Sequence, residues 1–236
     1  MGVIRIFRLL SGLVTFTLVE VVTLGLWLAL VLEEPLLVDL LPAGAPDAAI
    51  LAGIVLVVGL FLEGFVNDIT ANGIRLRIPV VKIGLFSITE AVIWVVWLRI
   101  AQTVGGLRGI ALAGVFLAVI FVPQHTVEDN VLRGEAILSR LIALGTVSFS
   151  VVEAVGATVW LVFVLEPALV VSKIPAAVQA SLPSLVLDNL GVVGLAVLAG
   201  FLLLEHTIAL RFGLRGTPNT QTVRQAVLES LESTSD

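Results

Sequence analysis

Phe16-Thr17-Leu18-Val19-Glu20-Val21-Val22-Thr23-Leu24-Gly25-Leu26-Trp27 is an apolar run with a single carboxylate near its middle. Its skeleton returns twice, as Phe86-Ser87-x-x-Glu90 leading to Trp97 and as Phe149-Ser150-x-x-Glu153 leading to Trp160. Three of the four tryptophans fill that final slot, and the first and third copies go on matching through Val31-Leu32-Glu33 and Val164-Leu165-Glu166. Self-similarity of this kind marks a chain assembled from copies of one structural unit.

The surroundings of each copy decide the solvent. The chain is 58% hydrophobic and 13% charged, too little polar surface for water to solvate alone. Its apolar runs are about 16 to 25 residues long, which at about 1.5 Å rise per residue crosses a hydrocarbon core of about 30 Å. Runs at about 8–32, 48–69, 82–100, 109–131, 140–165 and 188–211 predict six transmembrane helices, hence an all-α polytopic membrane protein. The first run is too long for a signal-peptide core and lacks a small-residue cleavage site, so it is expected to remain as a helix.

The even-numbered runs carry a weaker mark of their own: Glu63-Gly64-Phe65-Val66, Gln124-His125-Thr126-Val127 and Glu205-His206-Thr207-Ile208. Both histidines of the protein occupy the same slot. The chain thus divides into three tandem two-helix repeats, over about 8–73, 82–134 and 140–216. Together they form one transmembrane domain, 1–216, followed by a polar tail, 217–236, with a short surface helix expected from Thr222 to Leu231. A two-helix unit re-enters the membrane in the same direction each time, so the copies are expected around a pseudo-threefold axis along the membrane normal.

Charge sorts the two sides. Ten of the thirteen basic residues (Arg5, Arg8, Arg75, Arg77, Lys82, Arg133, Arg140, Arg211, Arg215, Arg224) fall on one face, against Arg99, Arg108 and Lys173 on the other. The positive-inside rule then predicts a multi-pass protein of the cell membrane with both termini cytoplasmic. The opposite loops are rich in proline, which stops helices, and two of them have room for short interfacial segments, such as Ile174 to Leu182.

Ser/Thr and Glu are three residues apart in the motif and Glu and Trp seven apart, so all share one helix stripe. Glu20 lies about 18 Å along its helix, near the bilayer midplane. A carboxylate at that depth costs about 2.5 to 3.5 kcal/mol if it faces lipid, so Glu20, Glu90 and Glu153 are expected to point inward. Meeting there, they must share protons, bind a cation, or bond to neighbours such as Thr17, Ser87 and Ser150. Glu63, Gln124, Glu205 and the two histidines would form a second tier nearer the cytoplasm. The tryptophans read as interfacial anchors and Trp94 as packing. Asn67-Asp68 and Glu128-Asp129-Asn130 read as helix ends, and Pro123 as a kink that frees a carbonyl.

Three functions follow. The leading expectation is a small channel or transporter for protons or metal cations, with Glu20, Glu90 and Glu153 as midplane site and Glu63, His125, Glu205 and His206 as a second station. The second is a structural or accessory subunit whose glutamates are interhelical hydrogen-bond glue. The third is a membrane metalloenzyme holding a divalent metal ion by His125 and His206 with Glu63 and Glu205, or a bis-histidine haem. Adjacent Glu205 and His206 diverge by about 100° on a helix and are not expected to chelate together. The chain has no cysteine, phosphate-binding loop or basic nucleic-acid patch. The bilayer is its expected partner, no nucleic acid is, and glycine-rich helix faces allow a homo-oligomer.

Overall fold

The computed structural model describes residues 3–42, 45–72 and 78–215, with the side chains of 3–9, 36, 71–72, 185 and 210–215 left out of the description. The tail 217–236, with the surface helix expected there, lies outside these residues. Six long helices carry the fold: α1 (Val3–Val31), α2 (Ala48–Asn72), α3 (Val80–Val104), α4 (Gly106–Leu132), α5 (Leu144–Leu165) and α6 (Leu190–Arg215). Each is long and apolar enough to cross a bilayer, the architecture of a multi-pass membrane protein.

Several boundaries differ from expectation. Helix α1 begins at Val3 and α3 runs on to Val104, because nothing in the sequence stops either earlier. Gly105 and Gly106 then reverse the chain at φ 71° and 57°, conformations that a Cβ would strain. The reversal is tight enough that a Cβ on Gly109 would stand 2.5 Å from the Ala101 carbonyl oxygen. Helix α5 starts at Leu144, not near residue 140, because Arg140 is held in the preceding loop by Glu135 at 2.9 Å. Pro123 leaves α4 continuous. Between α5 and α6 the chain forms short helices, Pro167–Lys173, Ala176–Gln179 and Ser184–Asp188, where one interfacial segment was expected.

Consecutive helices pack together, and α6 packs back onto α1, closing a ring in chain order. Neighbours run antiparallel: on α1 and α2, Gly12 faces Thr70 and Gly59 faces Thr23, and on α4 and α5, Gly114 faces Thr158 while Thr126 meets Thr146. Outward, Leu10, Val14, Leu18, Val22 and Leu26 recur every fourth residue on α1, all exposed, a stripe that only lipid would solvate. Inward, leucines, alanines and all four tryptophans form one apolar cluster.

Two buried polar side chains fasten the backbone leading into α3 and the turn that follows α4. The Asp68 carboxylate accepts the Ile78 backbone N–H at 3.1 Å, and the Asn130 amide donates to the carbonyls of Ile137 at 3.0 Å and Arg140 at 2.8 Å. Both are fully buried. Without them these loop groups would lack partners away from water.

Candidate functional site

Glu20 on α1, Glu90 on α3 and Glu153 on α5 each contribute a carboxylate oxygen to a cluster whose members all lie within 4.8 Å of one another. Glu20 and Glu153 are buried and Glu90 is half-buried. Three anionic charges that close repel by on the order of 3 kcal/mol or more per pair at an effective dielectric constant of about 20. The cluster therefore requires compensating positive charge, from a proton or a bound cation. An all-carboxylate set suits hard cations that prefer oxygen.

The rest of each motif encloses a histidine. His206 of α6 reaches α1: its Nδ1 lies 2.8 Å from Thr17 Oγ1, its Nε2 lies 3.1 Å from Glu20 Oε2, and its ring packs on Phe16 with centroids 3.8 Å apart. His125 of α4 reaches α5 in the same way. Its Nδ1 lies 2.8 Å from Ser150 Oγ, its Nε2 3.6 Å from Glu153 Oε2, and its ring packs against Phe149 at 5.2 Å. Phe, Ser/Thr and Glu of the motif thus present a ring face, a hydroxyl and a carboxylate to one imidazole.

The two expected tiers are accordingly not separate. In a helix, Cα–Cβ bonds lean toward the N-terminus, so side chains of antiparallel α1 and α6 lean toward one another and close the difference in depth. The Thr17 hydroxyl also donates to the Leu13 carbonyl at 3.0 Å, so Nδ1–H is the donor to Thr17. Nε2 then faces two carboxylate oxygens, Glu20 and, at 2.8 Å, Glu205. That contact requires a further proton, on the ring or on a carboxyl group. Glu205 and His206, adjacent on the helix, meet each other through their side chains. His125 belongs to one enclosure and His206 and Glu205 to the other, while Glu63 lies elsewhere, against the cavity beside the middle motif described next. The four are thus distributed over three places.

The middle motif, Phe86 to Glu90, has no histidine opposite it. Opposite Ser87 and Glu90, α2 presents Gly64, and a cavity of about 50 Å³ opens there, lined by Gly64, Glu63, Asn67, Phe86, Ser87 and Glu90 among others. The Ser87 hydroxyl donates to its own helix at Ile83 O, 2.9 Å away, and the Trp94 indole donates to Glu90 Oε1 at 3.3 Å. Glu128 also lines the cavity and accepts from Gln124 at 3.2 Å. Read as part of a helix end, Glu128 was missed as a site residue; it lies four residues after Gln124, the slot already singled out, which was the available signal.

The tryptophans are corrected too. Trp27, Trp97 and Trp160 are at most 2% exposed, so they are core residues and not interfacial anchors. They share the stripe of the glutamates, and that stripe faces inward. Trp97 stacks with Trp160 at 6.5 Å, each about 10 Å along its helix from the motif glutamate, and meets Trp94 edge-on at 5.1 Å.

The chain matches no family model, no curated protein and no solved structure.

Proposed function

We propose that this protein transports protons or small cations across the cell membrane, with Glu20, Glu90 and Glu153 as its central binding site. The observation that carries the reading is the convergence of three carboxylates from three different helices within 4.8 Å, inside a bundle with a large apolar core. Ionisable groups are costly at membrane depth and are kept where they bind or relay charge. In this reading the three two-helix repeats surround a pseudo-threefold axis that passes through the carboxylates. The basic-residue bias sets both termini in the cytoplasm.

The buried indoles favour a transporter over an open pore. With Trp97 packed between Trp94 and Trp160 on the far side of the carboxylates, passage in this reading requires the indoles to move. His206 and His125 touch the carboxylates directly and are the relay groups between the site and the α2, α4 and α6 ends of the bundle.

A second reading, interhelical glue, draws on the same enclosures, since each joins two helices through a histidine. Glu90→Gln separates the two. It keeps the shape and the Trp94 hydrogen-bond acceptor while removing one charge. Transport predicts loss of proton or cation flux in liposomes at unchanged thermal stability; glue predicts unchanged flux or a protein that loses its stability.

A further inference from the structure

We infer that the cavity beside Gly64 is a binding site for a small protonated nitrogen base, of the size range from ammonium to imidazolium. The inference deepens the transport reading and rests on its repeat equivalence, because it compares three copies of one motif. In two copies, Phe-[Ser/Thr]-x-x-Glu surrounds an imidazole supplied by the neighbouring even helix: His206 for Phe16, Thr17 and Glu20, and His125 for Phe149, Ser150 and Glu153. In the remaining, middle copy, Phe86, Ser87 and Glu90 are all present and line a cavity, and the slot that holds histidine on α4 and α6 holds Gly64 on α2.

The lining selects the chemistry of the guest. Ser87 is 3% exposed and its hydroxyl hydrogen is directed to Ile83 O, so its lone pairs accept. Glu90, Glu63 and Glu128 add carboxylate oxygens, and Glu63 Oε2 is buried with no hydrogen-bond partner among the described residues. A guest that donates hydrogen bonds and carries positive charge satisfies this set. The phenyl ring of Phe86 supplies the face on which the other two copies place an imidazole. At about 50 Å³ the space has room for an ammonium ion with water, or for a small ring.

The test uses the full-length protein in detergent, titrated at constant ionic strength with ammonium chloride, imidazole hydrochloride, sodium chloride and calcium chloride. Trp94 donates to Glu90, so occupancy is read as a saturable change in tryptophan fluorescence. The expected result is saturation by ammonium or imidazolium, weakened at least about tenfold in Ser87→Ala, equivalent to the loss of one hydrogen bond. Gly64→His, which would fill the space with the chain's own imidazole, should abolish the response while its melting curve shows a folded protein. A Cβ at Gly64 stands 3.0 Å from Ile83 Cγ2, so should that variant not fold, Ser87→Ala decides. No saturable response to either nitrogen cation, an equal response in Ser87→Ala, or the same response to sodium or calcium overturns the inference. Binding in detergent is independent of flux in liposomes: a protein that binds ammonium but transports nothing refutes the transport reading alone, and one that transports without binding refutes this site alone.

Discussion

Thr17 and His206 stand 189 residues apart in the chain and 2.8 Å apart in the fold, joining the first long helix to the last. That hydrogen bond closes the ring of helices and brings an imidazole to Glu20. Each of its consequences can be measured.

His206→Gly should lower thermal stability in detergent by about 1 to 3 kcal/mol, since it strips a partner from Thr17, Glu20 and Glu205 at once. It also recreates at α1 the arrangement already present beside Gly64. Millimolar imidazole should therefore recover part of the loss, read as a rise in melting temperature that is absent for His206→Phe. Equal melting of the glycine variant with and without imidazole would show that the enclosure does not recognise the ring.

Trp97→Ala tests the indole cluster. Its side chain is fully buried against Trp94 and Trp160, so truncation should cost about 3 to 5 kcal/mol. In liposomes the variant should also leak protons faster than the parent protein, because the interior beyond the carboxylates is no longer filled. A destabilised variant with unchanged leak would leave the cluster a packing role only.

Asn130→Leu should loosen the turn between α4 and α5. It deprives the Ile137 and Arg140 carbonyls of their donor and should cost about 1 to 3 kcal/mol. Hydrogen exchange should rise within 133–143 before it rises in α4 or α5. Uniform acceleration along both helices would contradict a local fastening role.

Gly105 and Gly109 sit four residues apart and should respond differently. Gly105→Ala meets no neighbour within 4 Å but is strained by its φ of 71° and ψ of 161°, a cost of about 1 to 3 kcal/mol. Gly109→Ala drives a methyl group against the Ala101 carbonyl and should be the more damaging, by thermal melting of each variant side by side. The reverse order would mean that α3 and α4 can separate at little cost.

Much of the site was legible before any coordinates. The spacing of Phe16, Thr17, Glu20 and Trp27 put them on one stripe, and the cost of a charge in lipid turned that stripe inward; Glu20, Glu90 and Glu153 do meet. The same logic, applied consistently, would have buried the tryptophans. The preference of Trp for membrane interfaces, a tendency of residue type, gives way here to helix phase. Glu128 went unnoticed because it lies among charged and amide residues that resemble a solvated helix end, and only its neighbours on α2 and α3 give it a cavity to line.

Composition, run length and the recurring motif were sufficient to establish six membrane-capable helices and three inward carboxylates, because hydropathy and helical period act locally and depend on no partner. Which histidine enters which motif was decided by tertiary structure alone. His206 serves the first copy and His125 the third because α6 closes onto α1 and α4 packs on α5, and because side chains on antiparallel helices lean toward each other across about a turn of depth. The vacancy beside Gly64 follows from the same neighbour relation: a glycine in the sequence is only a missing side chain, and it becomes a cavity when the helix opposite holds Ser87 and Glu90 in place.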